Sequence, residues 1–357
     1  MGYDVLPSDG CWVALRLPHA QVMQSDVSEE VVVANDTGPA HGQPLEMVVT
    51  QRAEIAEDVV ELVLEAPSGE ALPGWQPGAH IDLILNDVLT RQYSLCSSPA
   101  DRHRFKVAVL LESDGRGGSA YVHRNVAEGS RVRVGEPRNH FPLRPAQRYQ
   151  FIAGGIGITP IIPMIEQVEA DGVPWHLLYG GRRRSSMAFT AELADYADRV
   201  TFWPQDELGI LDLASVLGDS RDDTLVYCCG PEGLLNAVEQ ASGHWPPMAL
   251  HVERFAAKPG ALAPPEGALD NFEVVCRKSG LTVNVGPGQT ILDVLRENGI
   301  STLASCMEGI CGTCEAPVLD GIPDHRDSVL SDDEKAGNDY MMICVSRSLS
   351  PTLVLDV

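Results

Sequence analysis

Four of the nine cysteines in this chain follow a spacing that limits what its C-terminal part can fold into. Gaps of four, two and 29 residues separate Cys306, Cys311, Cys314 and Cys344. This is the ligand spacing of plant-type [2Fe–2S] clusters, where thiolates supply soft, anionic donors to an iron pair. A structural zinc knot is the alternative, but its ligands usually come as two closely spaced pairs. The spacing therefore predicts a [2Fe–2S] site.

Charge narrows the choice of partners. The 357 residues carry 50 acidic and 26 basic side chains, a formal net charge of −24. Nucleic acids and anionic membrane surfaces need a basic footprint, so neither is expected as a partner. The sequence has no stretch long and apolar enough to span a membrane, and no basic-then-apolar signal peptide at its N-terminus. We therefore expect a cytoplasmic protein without a disulfide framework.

Periodicity divides the chain into modules. Short alternating runs between Gly and Pro turns predict an antiparallel β-barrel over 45–146. Strands alternating with helices predict an α/β domain with a parallel sheet over 147–255. The stretch 256–270 is rich in Ala, Pro and Gly and is typical of a linker. The last module, 271–357, opens with a predicted hairpin and helix, and the acidic segment 1–44 is given no function.

Two motifs in the barrel region offer groups for a flavin. One strand places Arg91 and Tyr93 on one face and Ser94 on the other. An arginine can pair with a phosphate, an aromatic ring can pack on an isoalloxazine, and a hydroxyl can approach its N5 atom. Downstream, the glycine-rich loop 115–119 frees backbone N–H groups, and Ser119 is predicted to cap a helix whose N-terminus attracts phosphate. Cross-strand packing and an ordinary glycine turn are the alternatives.

A second pair of motifs lies at strand ends of the α/β region. Gly155, Gly157 and Thr159 follow a predicted buried strand and open a helix, as a pyrophosphate-binding loop requires. Cys228 and Cys229 end a later parallel strand, where ligands of open α/β sheets bind. Both are also compatible with plain strand–helix turns, and a buried cysteine is common in protein cores.

Taken together, the motifs indicate a family. RQYSL, GRGGS, AGGIGITP, CCGPEGLL and HVERF precede the cysteine module in that order. The chain in this respect resembles the phthalate dioxygenase reductase family of the ferredoxin–NADP reductase superfamily, over 45–357. The resemblance implies an FMN-binding barrel, a NAD-binding α/β domain and a plant-type ferredoxin domain of β-grasp fold. The segment 1–44 departs from the family pattern.

The resemblance also implies a flavin site. The residues that would contact the flavin ring are Arg91, Tyr93 and Ser94, with Ser94 near N5. The residues that would bind its phosphate are Arg116, Gly117, Gly118 and Ser119. A single phosphate loop with an arginine is similar to the FMN site of this family rather than to an FAD site.

A nucleotide site is implied in the same way. The residues that would bind the dinucleotide are Gly155, Gly157, Thr159 and Arg182. Cys229 would lie beside the nicotinamide, and Phe255 would cover the flavin face that meets it. The family favours NADH. Arginines at 182–184, however, could also receive the 2′-phosphate of NADPH, because no acidic residue stands there to bond a ribose hydroxyl.

These modules predict an electron path. Hydride from NADH carries two electrons, which a flavin can accept and release singly to a [2Fe–2S] cluster. The resemblance implies a terminal oxygenase as the acceptor, often a Rieske non-haem iron enzyme. A haem monooxygenase, another one-electron acceptor, or a redox-sensing role without turnover are the alternatives.

Overall fold

The computed structural model describes residues 43–86, 89–113, 115, 117–257 and 269–357. Most of the predicted extension at 1–44 and most of the predicted linker at 256–270 lie outside the described residues, as does Arg116. The domain boundaries drawn from the sequence therefore stay predictions.

The first domain is a small antiparallel barrel. Its elements are β1 (Leu45–Ala56), β2 (Val59–Glu65), β3 (His80–Asn86), β4 (Leu89–Ser94), β5 (Arg104–Leu110), α1 (Gly118–Asn125) and β6 (Arg131–Val134). The strands pair in the order β4-β3-β6-β1-β2-β5. Leu95, directly after β4, bridges Val107 in β5, so the two edge strands meet and the sheet closes. The barrel prediction is confirmed.

The second domain alternates strands and helices. Its elements are β7 (Arg148–Gly154), α2 (Ile161–Ala170), β8 (Trp175–Gly181), α3 (Thr190–Ala194), β9 (Val200–Pro204), α4 (Gln205–Leu208), α5 (Ala214–Leu217), β10 (Thr224–Cys229), α6 (Glu232–Ala241) and β11 (Leu250–Glu253). The strands pair in the order β11-β10-β7-β8-β9, and every pair is parallel. This confirms the predicted α/β domain, and it brings the ends of β7 and β10 side by side.

The third domain is a mixed sheet crossed by a helix. Its elements are β12 (Phe272–Cys276), β13 (Leu281–Val285), α7 (Ile291–Glu297), β14 (Glu315–Asp320), β15 (Pro323–Asp324), α8 (Asp332–Gly337), β16 (Tyr340–Met342), β17 (Arg347–Ser348) and β18 (Thr352–Leu355). Five strands pair in the order β13-β12-β18-β14-β16, with β12 and β18 parallel. The hydroxyl of Thr290 accepts a hydrogen bond from the Asp293 N–H and caps α7. The arrangement agrees with the β-grasp fold.

Among the described residues, the apolar contacts between the first two domains do not extend to the third. The barrel has an apolar core of its own. A second apolar cluster spans the barrel and the α/β domain and includes Val59, Ala108, Ile158 and Ile161. The third domain has its own core, drawn from its own strands and α7. Throughout the described ranges, no helix is long and apolar enough to cross a membrane.

Candidate functional site

Strand β4 presents the three residues expected to contact the flavin ring. Arg91 and Tyr93 are half-buried, whereas Ser94 is only 5% exposed. Its hydroxyl has no hydrogen-bond partner among the described residues. A buried polar atom without a partner costs stability, so a ligand group that bonds it is favoured. Ser94 therefore fits the position expected beside a flavin.

The glycine-rich loop lies against the same strand. A Cβ at Gly118 would overlap the side chain of Arg91, so this close packing requires glycine. Gly117 has a φ of 82° and precedes α1, and no side chain caps the first backbone N–H groups. Within the part of the chain that the structure describes, these N–H groups are left as donors beside an arginine, which fits a phosphate group.

The capping role predicted for Ser119 is wrong. Helix α1 begins at Gly118, which places Ser119 inside the first turn and not at the N-cap. The Ser119 hydroxyl instead accepts a hydrogen bond of 3.1 Å from the backbone N–H of Glu112. Ser119 therefore ties the loop to the segment that follows β5.

The loop after β7 packs against the end of β10. A Cβ at Gly157 would overlap the carbonyl of Cys229, so the two strand ends approach as closely as backbones can. Thr159 is 2% exposed and donates its hydroxyl proton to the carbonyl of Ile156 at 2.9 Å. The Gly155 carbonyl accepts a bond of 3.2 Å from Tyr179. Gly155, Gly157 and Thr159 thus form one braced turn at the edge where a dinucleotide would bind.

A carboxyl group that the motif analysis did not single out lies beside Cys229. The half-buried Glu253 ends β11, and its Oε2 is 3.9 Å from the buried Cys229 Sγ. Burial raises the pKa of Glu253 to about 8, against a smaller lowering by the thiol hydrogen bond. At neutral pH the carboxyl is therefore mostly protonated. Glu253 belongs to the motif HVERF, in which only Phe255 received a role; that ring is 42% exposed.

The three arginines after β8 differ in their surroundings. Arg183 Nη1 lies 3.6 Å from Glu57 Oε1, and Arg184 Nε lies 3.8 Å from Glu207 Oε1. Arg182 makes no ion pair with any part of the chain that the structure describes. Its guanidinium is accordingly the best placed of the three to bind a phosphate.

The four cysteines of the spaced motif come together in the third domain. All are buried, with 2 to 4% of each residue exposed. Side-chain hydrogen bonds join Cys306 to Cys311 and Cys344, and Cys344 to Cys314. The hydrogen bond shared with Cys306, followed by burial, raises the pKa of the Cys311 thiol. Iron would have to displace these protons, as metals do at thiolate sites.

The backbone around these thiols is shaped by glycine. Gly309 and Gly312 have φ values of 66° and 69°, which favour glycine, and a Cβ at Gly309 would meet Val345 and Asp327. In the described ranges no three His, Cys, Asp or Glu side chains converge on one metal position. A two-iron cluster does not require that, because each iron takes two thiolates. The donor set fits a [2Fe–2S] cluster.

Comparison with known proteins decides the family. Residues 274–349 match the 2Fe-2S iron-sulfur cluster binding domain, and 151–240 match the oxidoreductase NAD-binding domain. Phthalate dioxygenase reductase of Burkholderia cepacia is 36% identical over 329 residues, covering 90% of this chain and 100% of that protein. The chain belongs to the phthalate dioxygenase reductase family. Phenoxybenzoate dioxygenase subunit beta of Ectopseudomonas oleovorans is 42% identical to the reductase over 316 residues, 88% of this chain and 98% of that one.

Solved structures show the same modular arrangement. The structure of a phthalate dioxygenase reductase, described as a module for electron transfer from pyridine nucleotides to [2Fe–2S], matches with a TM-score of 0.65 and 35% identity, covering 88% of the reductase and 98% of that chain. An intact type IV self-sufficient cytochrome P450 monooxygenase matches with a TM-score of 0.83 and 46% identity. The reductase spans 41% of the length of that monooxygenase, and the match covers 88% of the reductase.

Family membership sets the chemistry. The reductase is an oxidoreductase of the oxygenase-reductase type, with FMN, NADH and a [2Fe–2S] cluster as its cofactors. When bound, the flavin accepts hydride and the cluster carries single electrons. The residues of this chain would hold and orient these groups, and the four cysteine side chains of the spaced motif are buried.

Proposed function

We propose that the reductase supplies electrons, one at a time, to a terminal oxygenase. The observation that carries this proposal is the meeting of the cluster loop with the flavin strand. Ser305, next to Cys306, is hydrogen-bonded to Gln92, which lies between Arg91 and Tyr93 on β4. The turns expected to bind NADH belong to the domain that shares an apolar cluster with the same barrel. Nucleotide, flavin and cluster sites are thus held by one continuous set of packed elements.

Each predicted site residue takes a role in this proposal. The flavin ring would be held by Arg91, Tyr93 and Ser94. The flavin phosphate would be bound by Arg116, Gly117, Gly118 and Ser119. NADH would be bound by Gly155, Gly157, Thr159 and Arg182. Cys229 would face the nicotinamide, and Phe255 would shield the flavin. The cluster ligands would be Cys306, Cys311, Cys314 and Cys344.

The acceptor is proposed to be a separate terminal oxygenase of the Rieske non-haem iron type. Support comes from relatives named as subunits of dioxygenase, O-demethylase and monooxygenase systems, whose lengths the chain matches almost fully. The eight described cysteines are all free thiols, which supports a role in the reducing cytoplasm.

A haem monooxygenase is the second candidate acceptor. The self-sufficient P450 monooxygenase has a higher TM-score and a higher identity to the reductase than the phthalate dioxygenase reductase structure has. Anaerobic mixing of NADH-reduced protein with a purified Rieske oxygenase or a purified P450 separates the two. The absorbance spectrum of the true acceptor should show that it becomes reduced, at least as fast as it turns over. Reduction of the P450 alone would overturn the Rieske assignment.

The order of the carriers is tested with Cys311→Ser. Without an intact cluster, NADH should still reduce ferricyanide, which can take electrons from the flavin, but should no longer reduce cytochrome c. Cys276→Ala is the matched control, because Cys276 lies in the core of the same domain and outside the ligand set. Loss of both activities in Cys311→Ser, with the flavin still bound, would contradict the proposed order.

A further inference from the structure

A small polar cluster joins the iron–sulfur domain to the barrel. The Ser305 hydroxyl donates to Asp82 Oδ1 at 3.1 Å, although 223 positions separate the two residues. The Gln92 amide donates both to the same carboxylate oxygen and to Ser305 Oγ. Three side chains from two domains thus form a closed set of hydrogen bonds. We call Asp82, Gln92 and Ser305 the interdomain latch.

The barrel side of the latch is fixed. Asp82 is 7% exposed, and its second carboxylate oxygen pairs with Arg138 Nη1 at 2.9 Å. Its backbone carbonyl accepts from the N–H of Gly135 at 2.9 Å, next to the start of the turn that follows β6. The contact with Arg138 therefore holds the carboxylate, and the bond from Gly135 holds the backbone of Asp82, before Ser305 reaches it. Because Asp82 is fixed in this way, it sets the position of Ser305.

The iron–sulfur domain depends on such contacts for its placement. An apolar cluster spans the barrel and the α/β domain, whereas the apolar core of the iron–sulfur domain includes no described residue of the other two domains. A second contact point supports the latch: the ring of His140 lies where a Cβ of Gly312 would stand. The two contacts flank the cluster loop, one beside Cys306 and the other beside Cys311.

The latch also lies on the short route between the two redox sites. Gln92 is the neighbour of Tyr93 on β4, and Ser305 is the neighbour of Cys306. One side-chain hydrogen bond therefore connects the flavin strand to the residue next to a cluster ligand. Because electron transfer slows steeply with distance, a small displacement of this loop would slow the step.

We propose that Asp82, Gln92 and Ser305 are positioning residues that hold the cluster loop against the flavin strand for electron transfer. This inference rests on the proposed function. What passes between the two sites is one electron, lost by the flavin and gained by the cluster, and no bond is made or broken. The latch sets where the loop stands and takes no part in hydride transfer.

Ser305→Ala tests the latch in the holoenzyme. Stopped-flow absorbance after mixing with NADH should show flavin reduction unchanged and cluster reduction slowed about five- to tenfold, the effect of losing one or two hydrogen bonds. Ferricyanide reduction and the cluster's electron paramagnetic resonance spectrum should be unchanged. Ser305→Thr, which keeps the hydroxyl, should restore the rate. Ser301→Ala, on the exposed stretch before the loop, is the control and should match wild type.

A second readout does not depend on turnover. Hydrogen–deuterium exchange of a peptide over 300–313 should be faster in Ser305→Ala than in Ser301→Ala, because the loop has lost its anchor. Gln92→Leu, which leaves the cluster domain unaltered, should slow cluster reduction to a similar extent. The double variant should be no slower than either single one, since all three bonds act as a unit.

The outcomes separate the latch from the proposed function. If wild type reduces its cluster, and Ser305→Ala and Gln92→Leu reduce theirs at the same rate, the positioning role of the latch is contradicted. The proposed electron-transfer function is then unaffected. Additive slowing in the double variant would also contradict the positioning role. If wild type bearing both groups does not pass electrons to its cluster, the proposed function fails first. Should Ser305→Ala lose its cluster, Gln92→Leu decides the matter alone.

Discussion

The backbone of Gly118 packs so closely on the side chain of Arg91 that a Cβ at position 118 would overlap the arginine's Cγ and Nε. This contact fixes the start of α1 against the middle of β4. It brings the residues expected to bind the flavin ring together with those expected to bind its phosphate. The two sets of residues can therefore form one flavin site only if position 118 has no Cβ. Adding that single atom tests the site.

Gly118→Ala should weaken FMN binding about tenfold, because Arg91 must move to make room for the methyl group. FMN titration followed by fluorescence quenching measures the affinity. Gly233→Ala in α6 is the control, since that position has no heavy atom within 4 Å of the added Cβ. The control should raise stability by about 0.5–1 kcal/mol and leave FMN affinity unchanged. Equal FMN affinity in the two variants would contradict the proposed site.

Ser94→Ala should slow the reduction of bound flavin by NADH about 10- to 100-fold, because a donor directed at the reacting region is lost. The free energy of unfolding of the flavin-free protein should be unchanged or rise by about 1 kcal/mol, since the hydroxyl has no partner among the described residues. Stopped-flow reduction and urea denaturation measure the two effects.

Ser97→Ala provides the matched comparison for Ser94→Ala. Ser97 is equally buried, at 5% exposure, but its hydroxyl accepts a bond from the Lys106 N–H at 3.3 Å. This variant should lose about 1 kcal/mol of stability and keep its rate of flavin reduction. The opposite pattern, with Ser97→Ala slower than Ser94→Ala, would place the flavin elsewhere.

Sequence patterns predicted the domains because each has a distinct period. The short apolar run VVELVLE and the strand–helix repeats after Arg148 depend on local burial, which is visible in a linear pattern. The cysteine spacing was informative for a similar reason, since three of its members lie within nine residues. Local spacing also placed Gly157 in the turn after β7, but the close approach of this turn to the Cys229 backbone became visible only in the structure.

Other parts of the site depend on contacts between distant residues. Asp82 and Ser305 meet only after two domains have folded, so no local pattern could pair them. The surroundings of the arginines at 182–184 are set by Glu57 and Glu207, which come from other elements. The capping role of Ser119 was wrong because the helix start was predicted two residues too late.

Arg182→Ala should raise the KM for NADH about 10- to 100-fold, because a guanidinium bonded to phosphate contributes more than a neutral donor. FMN content should not change. Arg183→Ala is the control, because its guanidinium is already engaged with Glu57. A rise in KM for Arg183→Ala equal to that for Arg182→Ala would show that the loop charge acts as a whole.

The same variant addresses the choice of nucleotide. If Arg182 binds the pyrophosphate, Arg182→Ala should affect NADH and NADPH alike, and wild type should turn over NADPH poorly. Comparable turnover of NADH and NADPH by wild type, with a selective loss of NADPH activity in Arg182→Ala, would instead place a 2′-phosphate at this residue.

Glu253→Gln should remove a pH dependence of stability. Burial raises the pKa of Glu253 to about 8 in the folded protein, so the folded chain keeps a proton that the unfolded chain releases above its ordinary pKa. Wild type should therefore lose stability as pH rises from about 5 to 8 and then level off. Glutamine carries no such proton, so the variant should be more stable than wild type by roughly 2 kcal/mol at pH 8.5, allowing for the partial exposure of this side chain.

Urea denaturation of the flavin-free protein at several pH values measures this difference in stability. Glu70→Gln, on the exposed surface, is the control, and its stability should change with pH as that of wild type does. If Glu253→Gln also runs parallel to wild type, the carboxyl beside Cys229 is not held in its neutral form.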